Sequence, residues 1–291
     1  TLNYTDCPIN VVKTAKGQKD IVATGGYGQI VIYEITKNEQ LIQKAKIQGH
    51  KAAITDIEFY GTNKNYMITT GEDKTIRSWN LKTEREISMI TLKEPGNVLK
   101  MHPNETQCFI GLENKGIEIR DIRKLEECKL KIKLENVIRP VIQTMDMTTN
   151  GKYLVVGTRQ GYIALIQLEY EDEKESGIVT SYKQIQLLEN AVKAKYILKV
   201  AVAPNAKLVA VTTSEKQVLI YKMEDNQLKL HTTLQGHKNW VWSCQFTPDS
   251  LYLVTCGSDG TARLWDIQNG ETIQMYKGHQ KRIFCLQLRT M

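Results

Sequence analysis

Two sets of residues in this sequence have the side-chain types of a nucleophilic catalytic triad. Their members are His50, Thr69 and Asp73 in one set, and His237, Thr255 and Asp259 in the other. In hydrolases a histidine takes the proton of a hydroxyl nucleophile while a carboxylate orients the imidazole. Here the same order and nearly the same spacing occur twice, and a tryptophan follows each aspartate at the same interval, as Trp79 and Trp265. Such duplication indicates a structural repeat before it indicates a catalytic centre.

The residues around both sets recur along most of the chain. Each set begins with a Gly-His pair, passes through strand-like runs to the threonine, turns at the aspartate and reaches the tryptophan on another strand-like run. Weaker copies become visible when the repeats are aligned on the tryptophan position. The residues at that position, which we call the ruler residues, are Tyr33, Trp79, Arg120, Ile166, Tyr221 and Trp265. The intervals between them are 46, 41, 46, 55 and 44 residues. These intervals are close to the ~40–45 residues of a four-stranded propeller blade.

The repeat predicts an all-β fold, a WD-repeat β-propeller that forms a single domain over residues 1–291. In such blades the histidine, threonine, aspartate and tryptophan form a buried hydrogen-bonded chain. We predict this chain for His50, Thr69, Asp73 and Trp79, and for His237, Thr255, Asp259 and Trp265. A buried polar network stabilises a blade only when it is complete. We therefore interpret both sets as structural, and we expect no catalytic residue and no enzymatic activity. The glycines at 25–28 also lack the Lys-Ser/Thr of a phosphate-binding loop.

The strand count predicts seven blades, one of them incomplete. Six turns between second and third strands are centred near Tyr27, Asp73, Asn114, Gln160, Glu215 and Asp259. A further Gly-His at 278–279 precedes a first-strand-like run at 283–288, and residues 1–6 can serve as an outer strand. We expect 1–6 and 279–291 to share one blade without its central strands, in an N-terminally incomplete chain that starts at Thr1 rather than Met. A six-bladed closure is the alternative. The longest interval predicts an extended hairpin loop at 169–176.

Composition argues against several classes of function. The formal net charge is +7, but the Lys and Arg residues are spread along the chain, which argues against nucleic acid as a partner. None of the six cysteines forms a C-x-x-C pair, which predicts free thiols in a reducing compartment, no metal site and no cofactor. The stretches richest in apolar residues, such as 196–202, are far shorter than the ~20 residues that span a bilayer. We expect no membrane insertion and no small-molecule substrate.

The segment around Trp240 and Trp242 carries a more specific resemblance. Residues 239–255, 257–265 and 276–281 resemble the last blade of the small WD-repeat subunit of the TOR kinase complexes, also called the G-protein-β-subunit-like protein. The generic repeat requires neither the paired tryptophans nor a Gly-His-Gln-Lys followed by a Cys-Leu strand. Further segments resemble other blades of that family in order; they are 24–34, 66–79, 101–121 and 196–204. Arg120 and Ile166 depart from the family pattern, because they stand where a tryptophan is usual.

The resemblance implies a non-catalytic scaffold that binds the C-lobe of the TOR kinase domain, stabilises it and contacts other TOR complex subunits. It also implies a cytoplasmic location, with peripheral contact to endomembranes through the complex. A propeller holds its turns rigidly, so binding orders little of the protein, and aromatic and basic turn residues are the expected hot spots. The candidate protein-binding residues are Tyr27, Lys51, Glu72, Asn97, Arg139, Tyr196, Lys238, Trp240 and Trp242. Trp242 has a second interpretation, as a plug in the central channel.

Three alternative functions remain open at this level. The chain could be an adaptor of another assembly, such as a ubiquitin ligase, a ciliary complex or a ribonucleoprotein. A propeller hydrolase or lectin would need carboxylates or histidines that converge on the channel. An RNA-binding role predicts an affinity that falls steeply with salt.

Overall fold

The computed structural model describes residues 8–15, 21–171, 177–189 and 196–288. Within these ranges all regular structure is strand, apart from a 3-10 turn at Thr62–Lys64. The strands are β1 (Val11–Ala15), β2 (Ile21–Gly25), β3 (Tyr27–Ile35), β4 (Leu41–Tyr60), β5 (Tyr66–Gly71), β6 (Thr75–Asn80), β7 (Arg85–Thr91), β8 (Gly96–Met101), β9 (Gln107–Leu112), β10 (Ile117–Asp121), β11 (Cys128–Ile132), β12 (Ile142–Met147), β13 (Tyr153–Thr158), β14 (Ile163–Tyr170), β15 (Val179–Leu188), β16 (Ile197–Val202), β17 (Leu208–Thr213), β18 (Gln217–Glu224), β19 (Gln227–Gln235), β20 (Val241–Phe246), β21 (Tyr252–Gly257), β22 (Thr261–Asp266) and β23 (Glu271–Lys277). None of the described segments is a helix long and apolar enough to cross a membrane.

The strands form six successive four-stranded antiparallel blades, which we label A to F. Blade A comprises β1, β2, β3 and the first part of β4, and blade B comprises the end of β4 with β5, β6 and β7. Blades C to F comprise β8–β11, β12–β15, β16–β19 and β20–β23. The long strand β4 serves two blades, because its residues 41–48 and 53 pair with β3 while 54–60 pair with β5.

The core lies between neighbouring blades, since each central strand is covered on both faces. Strands β9 and β13 are buried at every residue, and their nearly continuous apolar sequences are typical of strands without a solvent-facing side. Phe109 and Ile119 of blade C pack with Leu154 and Ala164 of blade D in one apolar cluster. The outer strand β7 instead has exposed side chains at most positions. Burial therefore falls from the central strands to the outer ones.

The first strands of successive blades lie side by side around a central channel, and side chains connect them. Asp56 Oδ2 on β4 accepts the Leu99 N–H of β8 at 2.9 Å. Asp146 Oδ2 on β12 accepts the Val202 N–H of β16 at 2.7 Å. Each carboxylate thus joins its own blade to a later one, which fixes the position of the blades around the channel.

The prediction of an all-β WD-type propeller is confirmed. Every ruler residue lies on the third strand of a blade: Tyr33 on β3, Trp79 on β6, Arg120 on β10, Ile166 on β14, Tyr221 on β18 and Trp265 on β22. The repeat register taken from the sequence is therefore correct from blade A to blade F.

The segment 283–288 differs from the first strand predicted for it. It lies against blade F, where Gln245 Oε1 accepts the Leu288 N–H at 2.7 Å and the Ile283 N–H bonds to the Gly257 carbonyl at 3.1 Å, but it is not a strand. A first strand becomes regular by pairing with the second strand of its own blade, and the described ranges contain no such strand beside it. Residues 1–6 lie outside the described residues, so the seven-blade count stays a prediction.

The hairpin loop predicted at 169–176 is partly wrong. Glu169 and Tyr170 are the last residues of β14, and residues 172–176 lie outside the described part of the chain. The strand extends this far because the Tyr170 hydroxyl donates a hydrogen bond to the Gly151 carbonyl at 2.7 Å and contacts His102 Nε2 at 2.9 Å. The extra length of this repeat therefore lies partly in a longer hairpin that bonds to blade C.

Candidate protein-binding face at the channel mouth

Blade F contains the four-residue polar network that its sequence predicts. The Trp265 Nε1–H donates to Thr255 Oγ1 at 2.8 Å, so the threonine hydroxyl is free to donate to His237 Nε2, which lies 2.7 Å away. His237 Nδ1 then donates to Asp259 Oδ2 at 2.9 Å, and the same carboxylate oxygen accepts the Lys238 N–H. The hydrogen bonds run in one direction from the tryptophan to the carboxylate, which requires a neutral imidazole with its proton on Nδ1.

Blade B contains the same arrangement. Trp79 Nε1 donates to Thr69 Oγ1 at 2.9 Å, and His50 Nε2 lies 2.8 Å from that hydroxyl. His50 Nδ1 lies 3.0 Å from both carboxylate oxygens of Asp73. The two sets of candidate triad residues are therefore matched parts of two blades.

Burial sets the charge state of these networks. It lowers the pKa of His237 and of His50, although the neighbouring carboxylates oppose this effect. Burial opposes ionisation of Asp259, but hydrogen bonds from the Lys238 N–H and from Thr261 lower the pKa of its carboxyl to about 2. At neutral pH the histidine is thus neutral and the aspartate ionised. Thr255 is fully buried, so its hydroxyl cannot meet a substrate.

The first strands of blades B to F share an irregularity that shapes the channel mouth. Each has a register shift one residue after it begins, at Ile54/Asp56, Gly96/Val98, Ile142/Thr144, Ile197/Lys199 and Val241/Ser243. A bulge of this kind redirects the side chain of the extra residue. The bulge residues are Thr55, Asn97, Gln143, Leu198 and Trp242, and all five line one cavity of about 360 Å³ at the end of the channel that faces the aspartate turns.

One side of this mouth is an aromatic wall, which we define as Tyr196, Trp240, Trp242 and Phe284. The ring centroids of Tyr196 and Trp240 are 5.8 Å apart, those of Trp240 and Trp242 5.4 Å, and those of Trp242 and Phe284 5.2 Å. The Trp242 Nε1–H donates to Ser258 Oγ at 2.6 Å, which fixes the indole. Tyr196 is 44% exposed at the outer end of the wall. The wall offers a rigid apolar surface with exposed area.

The opposite side of the mouth is polar. Asn97 Nδ2 donates to the Ile142 carbonyl of the next blade at 3.1 Å, and Thr55 Oγ1 donates to the Gly96 carbonyl at 2.6 Å. Glu72 also lines the cavity, in the turn before Asp73. The mouth therefore combines an apolar wall with polar groups whose positions are set by bonds between blades.

Four of the predicted residues lie outside the aromatic wall and have exposed side chains. The N–H groups of Lys51 and Lys238 donate to Asp73 and Asp259, which holds each backbone in place while the side chain stays exposed. Tyr27, at the start of β3, is 66% exposed. Arg139 is also exposed, and its carbonyl accepts a hydrogen bond from the Gln160 side chain at 3.0 Å.

The predicted candidates therefore divide into two groups. The structure brings Tyr196, Trp240 and Trp242 together in the wall and places Glu72 and Asn97 on the same cavity as Trp242. Among the described residues, no ring pair and no side-chain hydrogen bond joins these five residues to Tyr27, Lys51, Arg139 or Lys238. Trp242 lines the mouth of the channel, a position that fits a partner contact and a channel plug equally well.

Comparison with known proteins agrees with this architecture. The model of the family described as "WD domain, G-beta repeat" matches residues 41–80 and 228–266, the segments that carry the two polar networks. The chain is 27% identical over 290 residues to "Target of rapamycin complex subunit LST8" of Saccharomyces cerevisiae, covering 99% of this chain and 90% of the relative. It is 26% identical to "Protein LST8 homolog" of Drosophila melanogaster, covering 93% and 83%.

The chain carries WD repeats and is similar to LST8 proteins. The resemblance to the WD-repeat subunit of the TOR complexes is thereby confirmed, because these matches run along nearly the whole chain. A relative with a different name also matches: "Nuclear distribution protein PAC1-1" of Uncinocarpus reesii is 24% identical, covering 83% of this chain and 56% of the relative.

Sequence reasoning on this WD-repeat chain missed several residues of the mouth. Phe284 completes the aromatic wall, while Gln143, Leu198 and Arg159 line the cavity. Phe284 had a usable signal, since it follows Ile283 as Trp242 follows Val241 in the preceding repeat. Gln143 and Leu198 had none, because bulges are not visible in a pattern of alternating residues. Arg159 lies in the turn after β13, where nothing in the sequence marks it as a cavity residue.

Proposed function

We propose that this protein is a non-catalytic scaffold subunit of TOR complexes, which binds the C-lobe of the TOR kinase domain through its turn face and stabilises the kinase. The observation that carries the proposal is the similarity to TOR complex subunits over 99% of the chain. The proposed setting is a cytoplasmic complex that reaches endomembranes through its other subunits.

The physical properties of the turn face support such a role. The aromatic wall and the network-bonded turns are fixed before a partner arrives, so little conformational freedom is lost on binding. Large aromatic side chains in a partly exposed, well-packed site are typical binding hot spots. Trp240 and Tyr196 come from adjacent blades and touch each other, so one partner residue can contact both rings.

The proposal is tested by binding of the purified chain to the TOR kinase of the same organism. We expect Trp240→Ala or Tyr196→Ala to weaken binding by about 2 kcal/mol, roughly thirtyfold in Kd, as for hot-spot truncations. Tyr276→Ala is the matched control, because Tyr276 is an aromatic residue of similar exposure, at 53%, on the outer strand β23. Absence of binding by the unsubstituted chain, or an equal loss from the control, would overturn the proposal.

The second candidate is an adaptor of a different assembly, such as a ubiquitin ligase, a ciliary complex or a ribonucleoprotein. The similarity to nuclear distribution proteins supports this candidate, because those relatives match 83% and 82% of this chain without being named as TOR complex subunits. Affinity purification of the tagged chain separates the two candidates. Recovery of a TOR kinase supports the first, and its absence alongside a stoichiometric partner of another class supports the second.

A further inference from the structure

The walls of the central channel carry lysines that are paired with carboxylates. Lys13 Nζ lies 2.9 Å from Glu58 Oε1 and 3.8 Å from Asp56 Oδ1. Lys100 Nζ lies 2.6 Å from Asp146 Oδ1, and although burial opposes it, that carboxylate raises the pKa of Lys100. Charges placed in a narrow channel require such partners, because removal from water is costly for an isolated ion.

Lys199 is different. It lines both the cavity at the mouth and a second cavity of about 340 Å³ on the other side. It therefore lies where the two cavities meet, a position that we call the waist of the channel. Within the described ranges, no ion pair or hydrogen bond involves its ammonium group. Asp56 also lies at the waist, but its oxygens accept the N–H groups of Ile57 and Leu99 and it lies next to Lys13. Among the residues that the structure describes, the Lys199 ammonium group therefore has no anionic partner in the channel.

The surroundings of Lys199 indicate what kind of anion would fit. Leu198 and Trp242 line the mouth beside it, together with Phe284 of the aromatic wall, so an apolar group next to the anion would be buried. Ser243 also lies at the waist and can donate a hydrogen bond. A cavity of about 360 Å³ is at the small end of ligand sites. A carboxylate attached to a residue with one large apolar side chain matches this combination.

We propose that the channel mouth binds the C-terminal residue of an extended peptide from a partner protein. The terminal carboxylate lies against Lys199 Nζ, and the terminal side chain, aromatic or large aliphatic, packs on Trp242 and Phe284. The peptide leaves through the mouth on the turn face. A free inorganic anion would leave the apolar wall uncovered, and a peptide that ends in a lysine or arginine would place a second cation beside Lys199. The site does not depend on which partner the turn face binds.

The probe is the heptapeptide Gly-Ser-Gly-Ser-Gly-Ser-Phe, made with a free terminal carboxylate and, separately, with a terminal carboxamide. Binding to the full chain is followed by tryptophan fluorescence, since Trp242 lines the mouth and contacts Trp240, whereas Trp79 and Trp265 are buried. We expect the acid to bind at least tenfold more tightly than the amide. Lys199→Met should abolish that preference, and the exposed Lys207→Met, the matched control, should leave it unchanged.

A stability measurement distinguishes a loss of binding from a loss of folding. Because Lys199 has no anionic partner among the described residues, its replacement by methionine should leave the thermal midpoint unchanged or raise it. Trp242→Ala should weaken the acid and the amide alike, since it removes the apolar contact only. Equal binding of acid and amide, no binding of the acid at millimolar concentration, or an unchanged acid preference in Lys199→Met would each overturn the proposal. None of these outcomes bears on binding of a TOR kinase.

Discussion

Blades B and F are held together by polar networks, whereas blades C and D fill the same positions with other side chains. By strand register, Ile110 of blade C and Val156 of blade D stand where Thr69 stands in blade B. Ile166 of blade D stands at the tryptophan position and is fully buried. In blade C, Arg120 takes that position, and its guanidinium bonds to Glu118 Oε2 at 2.6 Å and to the Leu125 carbonyl at 2.5 Å.

The difference shows that the fold does not require the residues by which the repeat is recognised. The family model matches only segments around the two polar networks, although all six blades have the same strand order. The apolar blades obtain their stability from buried surface, which needs no directional partners. In the polar blades the turn is fixed, because each aspartate bonds to the histidine side chain and to the backbone N–H of the residue that follows that histidine. Blade F, which carries Trp240 and Trp242, is one of these.

The largest effect is expected from the apolar side of the comparison. Phe109→Ala removes a fully buried ring from the cluster between blades C and D. We expect a loss of about 4 kcal/mol in the free energy of unfolding, the usual cost of such a cavity. Urea denaturation measures it, with exposed Ile87→Ala on β7 as the control. A loss below about 1 kcal/mol would mean that blades C and D are not held by this core.

Breaking a polar network should cost somewhat less. Asp259→Asn keeps the shape but removes the charge that accepts from His237 and from the Lys238 N–H. We expect a loss of about 2 kcal/mol, since buried donors lose a charged acceptor. Asn114, which occupies the equivalent turn of blade C, is the matched control. Equal effects of Asp259→Asn and Asn114→Ala in urea denaturation would contradict a special role for the network.

The polar blades should also make stability depend on pH. Burial lowers the pKa of His237 and His50 in the folded state, so the unfolded chain takes up protons first as the pH falls below about 6.5. Stability is therefore complete above pH 6.5 and declines below it, with a further loss between about 3.8 and 2 as Asp259 is protonated. The double variant His50→Gln/His237→Gln should flatten the first decline in urea titrations at stepped pH. An unchanged slope would contradict the neutral state assigned to these histidines.

The smallest effect concerns a difference between the two polar blades themselves. In blade B, Arg77 Nη1 donates to Glu86 Oε2 at 2.7 Å. In blade F the equivalent Arg263 is 7% exposed, and Thr272 stands in the place of Glu86. Among the described residues, Arg263 Nε has no hydrogen-bond partner. Thr272→Glu should therefore raise the free energy of unfolding by about 1 kcal/mol. A destabilisation would show that this part of blade F cannot accept a carboxylate.

Most of the blade architecture and both polar networks could be predicted from the sequence. The other features could not, for physical reasons. The ruler residues and both networks follow from residue identity at fixed intervals, as Trp79 and Trp265 show. The bulges do not, because a one-residue shift in register leaves the sequence pattern intact, and so Gln143 and Leu198 were missed. The bridges formed by β15 were also missed, since Gln184 and Gln186 resemble ordinary surface residues although they bond to the backbone of blades C and E.

The central claim is that the polar network of blade F holds the turn face while the aromatic wall binds the partner. One paired measurement tests it: the Kd for the TOR kinase and the free energy of unfolding, for Asp259→Asn and for Trp240→Ala, well below the unfolding midpoint. We expect Trp240→Ala to weaken binding about thirtyfold at nearly unchanged stability, and Asp259→Asn to lower stability by about 2 kcal/mol with a much smaller effect on Kd. A Trp240→Ala chain that is stable and binds the kinase as tightly as the unsubstituted chain would contradict the claim.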